Sequence, residues 1–66
     1  MKLTVNGDSL DLPAPMTVQG LIEWLKLDEG PVAVECNRAI VPRAEHGTAQ
    51  LKEGDQVEIV HFVGGG

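Results

Sequence analysis

Lys2-Leu3-Thr4-Val5-Asn6-Gly7-Asp8-Ser9-Leu10-Asp11-Leu12 sets the direction of the fold. Leu3 and Val5 alternate with polar neighbours, the period of a strand with one buried face. Asn6-Gly7 is a strong hairpin signal, because a two-residue type I′ turn needs positive φ at both central positions. Ser9 to Leu12 alternates again and returns antiparallel. Pro13 and Pro15 end the hairpin.

Beyond the prolines the period changes from two to 3.6. Val18, Leu21, Ile22 and Leu25 recur at i, i+3, i+4 and i+7, one apolar stripe of an amphipathic helix. Thr17 is the expected N-cap, its hydroxyl accepting from a free first-turn N–H. Gly20 lies inside this helix, where close backbone approach would explain a residue that weakens helices. Trp24 falls off the stripe and is expected at the core's edge. Lys26 is expected in the last turn, favourable to the helix dipole. Gly30 near C′ and Pro31 after it supply the stop.

The remainder reads as short strands. Val32 to Cys36 is a third strand, Asn37-Arg38 a turn, and Ala39 to Val41 a return strand that Pro42 ends. Arg43 to Gly47 is polar, a turn or short helical piece. Thr48 to Leu51 is weakly strand-like, and Glu53-Gly54-Asp55 is a turn. Gln56 to Val63, rich in β-branched residues, is the last and strongest strand. A hairpin, one crossover helix, short strands and a final strand suit an α+β fold, a mixed sheet packed on one helix. Residues 1–63 are expected to form a single domain.

Size and charge narrow the function. A chain of 66 residues has room for a modest core and little for a deep catalytic pocket. Its net charge of −5 disfavours nucleic-acid binding through phosphates and suits a basic groove on a protein partner. The single cysteine, Cys36, permits no internal disulfide, which fits a reducing compartment. No run is apolar enough for a signal peptide or a membrane span, so the cytoplasm is expected.

The sequence ends on Val63-Gly64-Gly65-Gly66. Without Cβ atoms, this backbone can be drawn through a channel too narrow for side chains. Fully extended, residues 64–66 reach roughly 10 Å beyond the strand. A terminal carboxylate is a poor acyl donor; an acyl-adenylate has a good leaving group, which sulfur, an amine or a thiol can displace. A glycine end is equally the composition of a loose terminus. Alternation places Val57 and Ile59 on the core face of the last strand and Glu58, Val60 and Phe62 on the other. Beside such a tail, the exposed Val60 and Phe62 form a candidate docking patch; the alternative has Phe62 folded over a sheet edge. Catalysis by the chain itself has little support. Cys36 reads as a buried strand cysteine. His46 and His61 lack ligand spacing, so no metal site is expected, and His61 is expected at a sheet edge near the tail.

Together these segments resemble a known family. The Asn6-Gly7 hairpin, the Thr17-Val18 helix start with Leu21, the Asn37…Ile40-Val41-Pro42-Arg43 segment, Gly54-Asp55 and terminal Gly65-Gly66 match, in order, the ThiS-type sulfur carriers of thiamine thiazole biosynthesis. The resemblance spans the chain. It implies a β-grasp, ubiquitin-like fold and a protein co-substrate rather than an enzyme. Gly66 would be adenylated by an E1-like enzyme that uses ATP, with Gly64 and Gly65 as the tail that enzyme admits. A thiocarboxylate would follow, its sulfur coming from cysteine through a desulfurase, and thiazole synthase would receive it. No cofactor is expected on the chain. Two relatives of this chemistry are alternatives: the small subunit of molybdopterin synthase and a ubiquitin-like modifier. A non-reactive interaction module is a third.

Overall fold

The computed structural model describes residues 1–62. Two hairpins flank one central strand. β1 (Lys2–Val5) and β2 (Asp8–Asp11) form the first, and β3 (Val32–Cys36) and β4 (Ala39–Val41) the second. β5 (Gln56–His61) lies between them, giving the order β2-β1-β5-β3-β4. It runs parallel to β1 and antiparallel to β3. The helix α1 (Val18–Trp24) makes the crossover. This is the β-grasp arrangement, reached with the expected elements in the expected order.

Both hairpin turns are left-handed pairs. Asn6 and Gly7 have φ of 50° and 86°, and Asn37 and Arg38 have 52° and 70°. Each asparagine also extends the pairing of β5 beyond its own strand. The Asn6 carboxamide accepts from the Ile59 N–H at 2.7 Å and donates to the Ile59 carbonyl at 3.1 Å. The Asn37 carboxamide accepts from the Gln56 N–H at 2.9 Å and donates to the Asp55 carboxylate at 3.0 Å.

The core lies between α1 and one face of the sheet. Leu3, Val5, Val34, Val57 and Ile59 from the strands meet Val18, Leu21 and Ile22 from the helix, closed by Leu12 and Leu51. Thr17 caps α1 as expected, its hydroxyl accepting from Gly20 at 3.0 Å. The segment expected to be weakly strand-like makes only a bridge between Gln50 and Thr17. Its Ala49 carbonyl serves the helix instead, accepting from the Val18 N–H, and the preceding His46 carbonyl accepts from the Gln19 N–H. His46 is buried and donates from Nε2 to the Val41 carbonyl at 3.0 Å. A short 3-10 turn at Arg43–Glu45 precedes it.

Several expectations fail around α1. The helix ends at Trp24, so Lys26 is not in its last turn. It sits beyond the cap at φ 61°, the left-handed position expected near Gly30. The Lys26 N–H bonds to the Glu23 carbonyl and the Leu27 N–H to the Ile22 carbonyl, a Schellman closure built without glycine. Ending there leaves Trp24 45% exposed rather than packed at the core's edge. Gly20 answers to a side chain, not a backbone: an added Cβ would stand 3.2 Å from the Met16 Cβ. His61 belongs to the central strand, paired with Val32, and not to a sheet edge. No helix among the described residues is long and apolar enough to cross a membrane.

Candidate functional site

The end of β5 is held on every side that the structure describes. Asn6 fixes Ile59 from the β1 side, and β3 pairs with β5 as far as His61. The α1–β3 loop takes over from there. His61 Nε2 donates to the Glu29 carbonyl at 2.7 Å, and the Phe62 N–H donates to the Pro31 carbonyl at 3.0 Å. Gly30 lies between these contacts at φ 96°; an added Cβ would stand 3.3 Å from the Phe62 carbonyl oxygen. Glycine suits this position twice, for its conformation and for its lack of bulk. The chain is aimed by main-chain bonds up to Phe62. Val63 and the expected carrier and tail residues Gly64, Gly65 and Gly66 lie outside the described residues.

The expected docking residues do share one surface. Glu58, Val60 and Phe62 are exposed on the sheet face away from α1, Val60 at 55% and Phe62 at 56%. The register adds three residues that the one-strand reading did not find. Ala33 lies opposite Val60, Glu35 opposite Glu58, and Ile40 opposite Glu35. Ile40 is 77% exposed. The signal was in the alternation of Val32, Val34 and Cys36, which turns Ala33 and Glu35 outward; which strands lay side by side was the missing fact. The result is a partly apolar face with two carboxylates side by side. Directly opposed like charges destabilise a sheet, and a cation supplied from outside would relieve them.

Among the described residues, catalytic groups are not gathered at this exit. Cys36 lies opposite Val57, four residues before His61, so about 13 Å separates them along the strand. Its thiol is half-buried and pushed up from its ordinary pKa by burial, by the negative charge of Asp55 and by a hydrogen bond to that carboxylate. Such a thiol is a weak nucleophile at neutral pH. Asp55 responds in the opposite direction. Burial works against its charge, but hydrogen bonds from Asn37, the Lys52 N–H and Cys36, with the Lys52 charge, hold it below the ordinary carboxylate value. Among the described residues, no three His, Cys, Asp or Glu side chains are grouped to hold a metal.

Comparison with known proteins gives a consistent picture. The ThiS family model matches residues 2–66. The chain is 44% identical over its whole length to a thiazole synthase of Paramagnetospirillum magneticum, of which it covers 20%. The chain therefore spans only about a fifth of that relative. It is 40% identical over 50 residues to the sulfur carrier protein ThiS of Bacillus subtilis, 76% of each chain. A crystal structure of the thiamine biosynthesis protein ThiS from Geobacter metallireducens superposes with a TM-score of 0.84 at 35% identity, covering both chains completely.

Proposed function

We propose a carrier function from one premise: the chain belongs to the ThiS family. In this reading it is a sulfur carrier for thiazole formation in thiamine biosynthesis, and it acts as a co-substrate rather than a catalyst. The working group is the carboxylate of Gly66. A carboxylate oxygen attacks the α-phosphorus of ATP on an E1-like enzyme and displaces pyrophosphate. A sulfur nucleophile at the sulfide level then attacks the acyl carbon. A C–S bond forms, the C–O bond to AMP breaks, and one oxygen has been exchanged for sulfur. A cysteine desulfurase is the indirect source of that sulfur, and thiazole synthase receives it.

The chain's own contribution is to bind and to aim. Glu58, Val60 and Phe62, with Ala33, Glu35 and Ile40, dock the partner through apolar contact and acidic charge. In this reading the partner's active site admits Gly64, Gly65 and Gly66, and the bonds to Glu29 and Pro31 fix the chain as far as Phe62. The observation that carries the reading is the family match through residue 66, which includes the glycines. The thiazole synthase relative favours thiazole formation over the molybdopterin alternative.

The test is intact mass of the chain before and after incubation with ATP, the activating enzyme and a sulfur source. The expected result is replacement of one oxygen by sulfur at Gly66, lost when Gly66 is deleted with the fold retained. Thiazole synthase assays then follow delivery. An unchanged mass, with the enzymes shown to be active on another carrier, would remove the proposal. Phe62→Ala should lower kcat/KM of adenylation by about tenfold, the range of a central aromatic contact, and leave Tm within a degree or two.

A further inference from the structure

A second surface lies on the opposite side of the molecule's function, at the free edge of β2. The hairpin's geometry decides which backbone groups are open there. A two-residue turn makes Val5 and Asp8 a hydrogen-bonded pair, and the alternation makes Leu3 and Leu10 the next. Met1 and Leu12 are the third, exchanging bonds of 2.7 and 2.8 Å. Ser9 and Asp11 therefore turn both N–H and C=O away from β1. Among the described residues no other strand covers them, since β2 ends the sheet. The other edge is shorter: β4 has three residues, and Pro42 follows it.

Beside this edge is a cleft of about 330 Å³ lined by Val5, Asn6, Asp8, Ser9, Leu10, Leu25 and Leu27, at the lower end of the size range for ligand pockets. Leu25 and Leu27 come from the Schellman closure of α1, and Leu10 from β2; all three are half-buried. Asp8 shares the face of Leu10, two residues away. Side chains on a strand added to this edge would alternate in the same way. The residue opposite Leu10 would face the cleft. The residue opposite Asp8 would face a carboxylate.

We propose that the β2 edge and this cleft bind an extended peptide segment of a partner protein as a sixth, antiparallel strand, with an apolar residue opposite Leu10 and a lysine or arginine two positions C-terminal to it, opposite Asp8. Main-chain bonds to Ser9 and Asp11 supply the strand pairing, and the alternate side chains supply the choice. The charge at Asp8 selects the occupant. A second copy of the chain would place Asp8 and Asp11 of both molecules along one strand pair, between proteins that each carry −5. Asp11 is already approached by the Met1 ammonium at 3.6 Å, so the open acidic position is at the Asp8 end. This site is separate from the face of Val60 and Phe62, and it stands or falls without the carrier chemistry.

The test uses the whole chain, 15N-labelled, titrated with acetyl-Lys-Thr-Phe-Val-Lys-Thr-amide to millimolar concentration. The expected result is saturable amide shifts at Ser9, Leu10, Asp11, Leu25 and Leu27, with slowed hydrogen exchange at Ser9 and Asp11. Ser9→Pro removes an N–H that only the added strand would use, and edge strands tolerate proline; it should weaken binding about tenfold. Should that variant fail to fold, N-methylation of the peptide valine blocks the same pairing on the unaltered chain. Asp8→Lys should weaken this peptide and favour one with glutamate in place of its second lysine. No shifts at millimolar peptide, or shifts confined to Val60 and Phe62, would overturn the proposal. So would β2 shifts that depend on protein concentration alone, which would assign the edge to a second copy, or shifts at Leu25 and Leu27 unaffected by N-methylation, which would leave an apolar cleft without strand pairing.

Discussion

The two ends of β5 are held by the same residue type in the same kind of turn, but by different physics. At the end nearer the exit, Asn6 donates its N–H to the Val57 carbonyl at 2.8 Å and closes both main-chain groups of Ile59 with its carboxamide. At the start, Asn37 donates its N–H to the Gln56 carbonyl at 2.7 Å, but its carboxamide divides between Gln56 and the Asp55 carboxylate. Ile59 is buried and Gln56 is exposed. Asn6 is followed by a glycine at φ 86°, Asn37 by an arginine at φ 70°. The exit of the strand is thus fixed by a neutral, two-pronged clamp in a relaxed turn. Its start is fixed by a charged network in a turn that stores strain.

The largest effect expected is at the clamp. Asn6→Ala leaves the Ile59 N–H and C=O without partners beside the core and should destabilise the fold by about 2–3 kcal/mol, read by urea unfolding. Asn37→Ala exposes groups that water can reach and should lose only about 1 kcal/mol. Both residues occupy left-handed backbone, so the penalty for alanine there is shared and the difference isolates the carboxamide. Equal losses would break the comparison and leave two interchangeable turns.

How much of this was legible follows from which interactions are local. Asn6-Gly7, Thr17 and the stripe of Val18, Leu21 and Ile22 report their structure within a few residues, and all form as read. The alternation of β5 likewise gave Glu58, Val60 and Phe62 their shared face. Lys26 misled because a left-handed C′ position ordinarily selects glycine; here the closure by Leu27 over Ile22 outweighs that preference. Ala33, Glu35 and Ile40 were missed for another reason. Their place beside Glu58 and Val60 depends on β5 entering between the hairpins, a contact between residues more than twenty positions apart. The Asn6–Ile59 clamp spans 53 positions and has no local signature at all.

The strain at the second turn gives a smaller effect of opposite sign. Arg38→Gly should stabilise the protein by up to about 1 kcal/mol, because the left-handed conformation is unfavourable for a residue with a Cβ while glycine's freedom in the unfolded chain offsets part of the gain. The reverse change at the first turn, Gly7→Ala, should destabilise. Thermal unfolding of both variants would show whether the two turns differ in strain, and a destabilised Arg38→Gly would show that they do not.

The smallest effect is in acid, and it reaches only one end of the strand. Burial alone would raise the Asp55 carboxyl; the Asn37 amide, the Lys52 N–H, the Cys36 thiol and the Lys52 charge outweigh it and hold the pKa below the ordinary value. A carboxyl with a depressed folded pKa contributes stability that is present above its unfolded pKa of about 3.9 and is lost as pH falls through the lower folded value. The Gln56 amide, read as a protection factor against hydrogen exchange, should therefore lose protection below that range. The Ile59 N–H donates to a neutral carboxamide and should keep its protection until the whole fold fails. Asn37→Ala removes the largest hydrogen bond that lowers the Asp55 pKa, so it should move that carboxyl upward in a side-chain NMR titration; it also removes the acceptor of the Gln56 N–H, so protection at Gln56 should fall at every pH. If Gln56 and Ile59 instead lose protection together at every pH, β5 opens as one unit, and the charged end has no acid sensitivity of its own.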